Sequence, residues 1–124
     1  MDVTIIDTSS LGDRSYLVSS GSTGVVIDPQ RDIDRVLSLA QQRGVHITHV
    51  LETHIHNDYV TGGYDLAMRN GCPYVVNAAD EVSFDRLAVS DGDALTVGAM
   101  TVRVLATTGH TDTTKIQWKI SNHR

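Results

Sequence analysis

The chain has 124 residues, with 15 Asp and Glu against 10 Lys and Arg, for a formal net charge of −5. That length suggests a single domain, 1–124, able to bury roughly two-thirds of its unfolded surface. Basic residues are scattered without interleaved aromatics, so nucleic acid is not expected as a partner, and no apolar run approaches the ~20 residues that span a bilayer.

Residues 3–6 read as a short β-branched strand. Leu11-Gly12-Asp13-Arg14 reads as a turn. Residues 15–19 and 24–28 form a hairpin across Ser20-Gly21-Ser22-Thr23, and Asp28-Pro29 ends the second strand because proline lacks a ladder donor. Asp32 suits an N-cap. Ile33, Val36, Leu37 and Ala40 then recur at helical spacing, and Gly44 stops the helix at C′. Residues 45–52 form a strand apolar enough to be internal. Gly62-Gly63 precedes a helix over 64–70, closed by Gly71, and residues 73–76 form a further strand. This alternation predicts an α/β layered core.

Residues 78–89 mix charge and apolar side chains and hold at most a helical turn. Ser90-Asp91-Gly92-Asp93 is a turn; 95–97 and 100–105 form a second hairpin around Gly98-Ala99. Ile116, Trp118 and Ile120 alternate with polar residues as in a half-buried strand. Tyr16 and Trp118 read as core or edge aromatics. Cys72, the single cysteine, excludes an intramolecular disulfide, fits a reducing, cytoplasmic setting, and reads as a small buried hydrophobe at a helix-to-strand junction. The N-terminus has neither a basic n-region nor an apolar h-region, so no signal peptide is expected.

The chemistry concentrates in Leu51-Glu52-Thr53-His54-Ile55-His56-Asn57-Asp58-Tyr59-Val60-Thr61-Gly62-Gly63. In an extended chain residues i, i+2 and i+4 share a side. His54, His56 and Asp58 can therefore converge just past a strand end, whereas on a helix the two histidines would face apart. Imidazole nitrogen and carboxylate oxygen suit zinc or non-haem iron. A lone histidine is more often surface decoration or a satisfied core group; a His-x-His-x-Asp run after an apolar strand is much less often accidental. His46 and His49, in that strand, read as structural, and His123 as solvated. Asp28, at a strand end, reads either as a hydrogen-bonding support for the ligand loop or as a strand-terminating Asp-Pro turn.

Thr53-His54-Ile55-His56-Asn57-Asp58, followed by Gly62-Gly63 and much later by Gly109-His110-Thr111, resembles the metallo-β-lactamase superfamily. Val26-Ile27-Asp28-Pro29-Gln30-Arg31-Asp32-Ile33-Asp34 and Asn57-Asp58-Tyr59-Val60-Thr61-Gly62-Gly63 are similar to the persulfide dioxygenase and glyoxalase II branch. The resemblance covers residues 1 to about 113. It implies the N-terminal portion of an αββα sandwich, a mixed sheet with flanking helices. His54, His56 and His110 match the three-histidine site, which would hold one metal ion, iron(II) or zinc. In the iron-dependent dioxygenases the equivalents of His54 and His110 bind iron with a downstream aspartate. Asp58 matches a residue that binds a second metal in dinuclear members and, in mononuclear ones, orients metal-bound water or acts as base, so it is the candidate catalytic carboxylate.

Two departures bear on the activity. Tyr59 stands where the motif has its last histidine, and a phenol of pKa about 10 is a poor substitute for imidazole; this disfavours a second metal. The family also continues for about half a domain beyond His110, carrying the downstream aspartate and a further histidine, and Asp112 replaces a common proline. The resemblance thus implies a shortened domain. The activity it implies is oxidation of glutathione persulfide to sulfite at a mononuclear iron, with two alternatives: a zinc thioesterase acting on hydroxyacylglutathione, and a non-catalytic remnant. A half-sandwich would expose an apolar sheet face that a second copy could cover in a homodimer.

Overall fold

The computed structural model describes residues 2–8, 13–29, 33–52, 62–77, 87–107 and 115–122. A six-stranded sheet has the order β1-β2-β3-β4-β5-β6, and a three-stranded sheet the order β7-β8-β9. The first comprises β1 (Asp2–Thr8), β2 (Asp13–Ser20), β3 (Thr23–Ile27), β4 (His46–Leu51), β5 (Tyr74–Asn77) and β6 (Leu87–Val89). The second comprises β7 (Ala94–Val97), β8 (Met100–Thr107) and β9 (Lys115–Asn122). Helices α1 (Ile33–Gln42) and α2 (Gly62–Asn70) connect β3 to β4 and β4 to β5. β1, β2 and β3 pair antiparallel, and β3 through β6 pair parallel. The mixed α/β architecture expected from the sequence is the one observed.

Alternation along the strands divides the interior into two cores. Leu17, Val26, Ile47, Val50, Tyr74 and Val76 pack with Ile33, Val36 and Ala40 of α1 and Leu66 and Ala67 of α2. Val18, Val25, Ile27, Leu51, Val75 and Val89 face the other way, onto Val97, Met100, Val102 and Val104 of the second sheet. The layers are therefore helices, sheet, sheet. Burying a Val or Leu side chain in such a core contributes about 1.5–3 kcal/mol.

Both helices end alike. Gly44 and Gly71 adopt φ of 65° and 63°. The following amides, Val45 and Cys72, donate to the carbonyls of Ala40 and Ala67 at 2.9 and 3.0 Å. The glycine amides reach Gln41 and Met68 at 3.1 and 3.2 Å. These are Schellman closures, in which the left-handed glycine turns the chain back towards the sheet and satisfies the last carbonyls. Cys72 is free and buried, and burial pushes its thiol pKa up.

Three local expectations change. Asp13 and Arg14 open β2, paired with Thr8 and Asp7, and are not a turn. Gly62 and Gly63 lie inside α2, and residues 87–89 are a parallel edge strand. Of the outward positions of the second sheet, Thr96, Arg103, Lys119 and Ser121 are exposed and polar, Ala94 is exposed, and Thr101 and Leu105 are half-buried. Among the described residues that sheet thus shows no broad apolar outer face, because its alternation sends the apolar residues to the inner core.

Candidate metal centre

The C-terminal ends of β3, β4 and β5 form one rim, with Ile27 opposite Leu51 and Leu51 opposite Val75. Glu52 stands at this rim, and the His54-x-His56-x-Asp58 motif follows it in sequence. The rim is hydrogen-bonded beyond the strands themselves. The Asp28 amide donates to the Leu51 carbonyl at 2.8 Å, and the Glu52 amide to the Val75 carbonyl at 3.1 Å. Those two acceptor and donor groups of β4 belong to the same peptide unit, which is thereby gripped from both neighbouring strands.

Asp28 has φ of 52°, the one positive value at a non-glycine residue among those described. Left-handed backbone costs an L-residue about 1–2 kcal/mol, least for Asn and Asp. The Ser15 hydroxyl donates to the Asp28 carbonyl at 2.7 Å and so restrains that conformation. Ser15 is 1% exposed and Glu52 7% exposed. Burying a carboxylate is costly unless it is engaged, so Glu52 at the head of the motif is a functional candidate. Sequence reasoning passed over both. Glu52 was visible as an acid closing an apolar strand, two residues before His54; Ser15 gave no signal, since its partner is 13 residues away.

A one-residue slip in β4 sets which way its end faces. Gly24 pairs with Ile47, but Val25 pairs with His49, leaving Thr48 unmatched. The Thr48 hydroxyl donates to the Gly24 carbonyl at 3.2 Å, and His49 Nδ1 lies 3.0 Å from the same oxygen. With its proton given to Gly24, that oxygen can accept from a neutral His49 that carries its proton on Nδ1. Burial lowers the His49 pKa, favouring this neutral form. Beyond the slip, Val50 faces the helices and Leu51 the second sheet. Without it every later side chain in the strand would change face. His46, by contrast, is exposed.

The second sheet reaches the same rim. Gly98, in the β7–β8 turn, abuts Thr23 at the start of β3. β8 therefore begins at the edge opposite the rim, and its eight residues span roughly 26 Å at 3.3 Å each, enough to cross the sheet. Thr107 thus ends β8 towards the rim from which Glu52 leads.

His54, His56, Asp58 and Tyr59 fall in the segment 53–61 and His110 in 108–114, outside the described residues. Among the described residues no three His, Cys, Asp or Glu side chains group as a metal site. The donor set that the sequence motif offers, imidazole nitrogen with carboxylate oxygen, would suit zinc or iron(II).

The pattern of the metallo-beta-lactamase superfamily matches residues 9–116. The hydroxyacylglutathione hydrolase of Acidiphilium cryptum is 35% identical over 111 residues, 87% of this chain and 45% of that protein. The enzyme of the same name from Rhodospirillum rubrum is 38% identical over 101 residues, 77% of this chain and 39% of that protein. The crystal structure of ETHE1 from Myxococcus xanthus superposes with a TM-score of 0.84 at 30% identity, covering 97% of this chain and 54% of that one. The chain thus spans about half the length of the proteins it matches. On this match, and on the two-layered sheet with helices over one face, the chain belongs to the metallo-β-lactamase superfamily.

Proposed function

We propose that this chain is the metal-binding portion of a metalloenzyme acting on a glutathione-derived substrate, residues 1–124 forming the N-terminal portion of a metallo-β-lactamase-type domain. His54 and His110 hold one ion, joined by His56 where that ion is zinc, and Asp58 is the carboxylate that orients or deprotonates the reacting group. The observation that carries the reading is the shared rim: the strand leading into His54 and His56 and the strand leading towards His110 end on the same side of the two sheets.

The preferred reaction is persulfide oxidation with iron(II). The outer sulfur of glutathione persulfide gains both atoms of dioxygen and one oxygen from water, leaving as sulfite with two protons while glutathione is released as thiol. Tyr59, in place of a further imidazole, favours a single metal, and the Gln30-Arg31-Asp32 stretch supports this branch. A second reading, hydrolysis of a hydroxyacylglutathione thioester with zinc, is supported by the curated relatives. The bound metal would supply Lewis acidity or oxygen activation. Glu52 and Asp28 would hold the base of the donor segment, and Asp58 would take or orient the proton.

Elemental analysis of the purified chain, followed by assays for sulfite from glutathione persulfide and for thioester hydrolysis, tests this. Stoichiometric iron with sulfite production supports the first reaction, and zinc with thioester cleavage the second. Metal without either turnover, or no metal, supports a non-catalytic remnant.

A further inference from the structure

We propose that Ser15 is a positioning residue for the metal-donor segment, acting through the backbone of Asp28; the inference rests on the metal-binding function proposed above. Ser15 lies in β2, two strands away from β4, and is almost fully buried. Its hydroxyl grips the Asp28 carbonyl at 2.7 Å. The Asp28 amide in turn grips the Leu51 carbonyl at 2.8 Å. The peptide unit carrying that carbonyl also carries the Glu52 amide, bound to Val75 at 3.1 Å. Two hydrogen bonds therefore run from β2 to the Leu51–Glu52 peptide, just ahead of Thr53, and a third ties that peptide to β5.

The weak link is Asp28. Its φ of 52° is a conformation that glycine adopts freely and an L-residue adopts only under restraint. Backbone strain of this kind persists where the surroundings over-determine it, and here two bonds do so, one on each side of the residue. Removing the Ser15 hydroxyl releases the carbonyl side. Residue 28 can then relax towards negative φ, which turns its amide away from Leu51. The peptide ahead of the donor segment is left held from β5 alone. Outer supports of metal ligands typically change metal affinity 10- to 100-fold, and a peptide two residues before His54 is close enough to act this way.

The test is zinc affinity of the full chain, measured by competition with a chromophoric chelator, for the unmodified protein, Ser15→Ala and Ser15→Cys. Cysteine is somewhat larger and a weaker donor, so it weakens the same bond without opening a void. Thermal melts run alongside. The expected result is zinc binding about tenfold weaker in Ser15→Ala, with Ser15→Cys between it and the unmodified chain. Affinities within twofold across all three proteins, even with lowered melting temperatures, overturn the inference and leave the metal-binding function standing. Absence of zinc binding in the unmodified chain overturns that function and this inference with it.

Discussion

Gly98 lies directly against Thr23: a Cβ built at position 98 would collide with the Thr23 hydroxyl, and Gly98 itself has φ of 57°. This contact pins the start of β8 to the start of β3 and so aligns the two sheets. Gly98→Ala combines left-handed strain of about 1–2 kcal/mol with that overlap. It should lower the unfolding free energy by at least this amount in a urea titration, without changing the m-value.

Gly24 is tight for a different reason. A Cβ there would stand 2.8 Å from the Val18 carbonyl oxygen and 2.8 Å from Val45 Cγ1. Backbone oxygen cannot step aside, so Gly24→Ala should cost about 1–3 kcal/mol by overpacking. Gly21, at φ of 63° but with open space around its Cβ position, is the control; Gly21→Ala should show the strain alone.

His49 ties folding to pH. Burial lowers its pKa below the ordinary 6.5, so on acidification the unfolded chain takes up the proton first. Its contribution to stability is therefore complete above pH 6.5 and is lost as pH falls below it. Denaturant midpoints measured from pH 7.5 down to pH 5.5 should fall less steeply in His49→Gln than in the unmodified chain. Equal slopes would show that the ring is not desolvated as described.

Trp118 packs against the inter-sheet core, but its Nε1 is buried without a hydrogen-bond partner among the described residues. An orphaned donor weakens rather than strengthens the fold. Trp118→Phe keeps most of the ring and removes the donor, so it should change stability by less than about 1 kcal/mol. Trp118→Ala should cost about 3–5 kcal/mol through the cavity. Thermal or chemical denaturation of the two variants checks the contrast.

Much of the fold is local physics and was legible. The 3.6-residue spacing of Ile33, Val36 and Ala40 does mark the buried face of α1, and Gly44 and Gly71 do close the helices. The hairpin at Gly98-Ala99 and the strand around Trp118 follow from alternation. What stayed hidden depends on partners distant in sequence. The slip at Thr48 arises where β4 meets Gly24, and Asp28 is left-handed because Ser15 and Leu51 hold it. β6 has only three residues and shows no periodicity of its own, being a strand only by pairing with β5. The proposed donors rest on the motif alone, the spacing of His54, His56 and Asp58 and the glycine before His110, and lie outside the described residues. Glu52, two positions upstream in the same alternation, was missed because its burial follows from the parallel strands on either side.

The central claim is that the segments containing His54 and His56 and the one containing His110 serve one metal ion. Metal content after equilibrium dialysis against zinc, compared among the unmodified chain, His54→Ala, His56→Ala and His110→Ala, tests it most directly. The account predicts about one ion per chain in the unmodified protein, tightly held through three protein ligands, and loss of binding in each variant, His110→Ala as fully as the other two. No bound zinc in the unmodified chain, or a His110→Ala variant that retains its full complement, would contradict it.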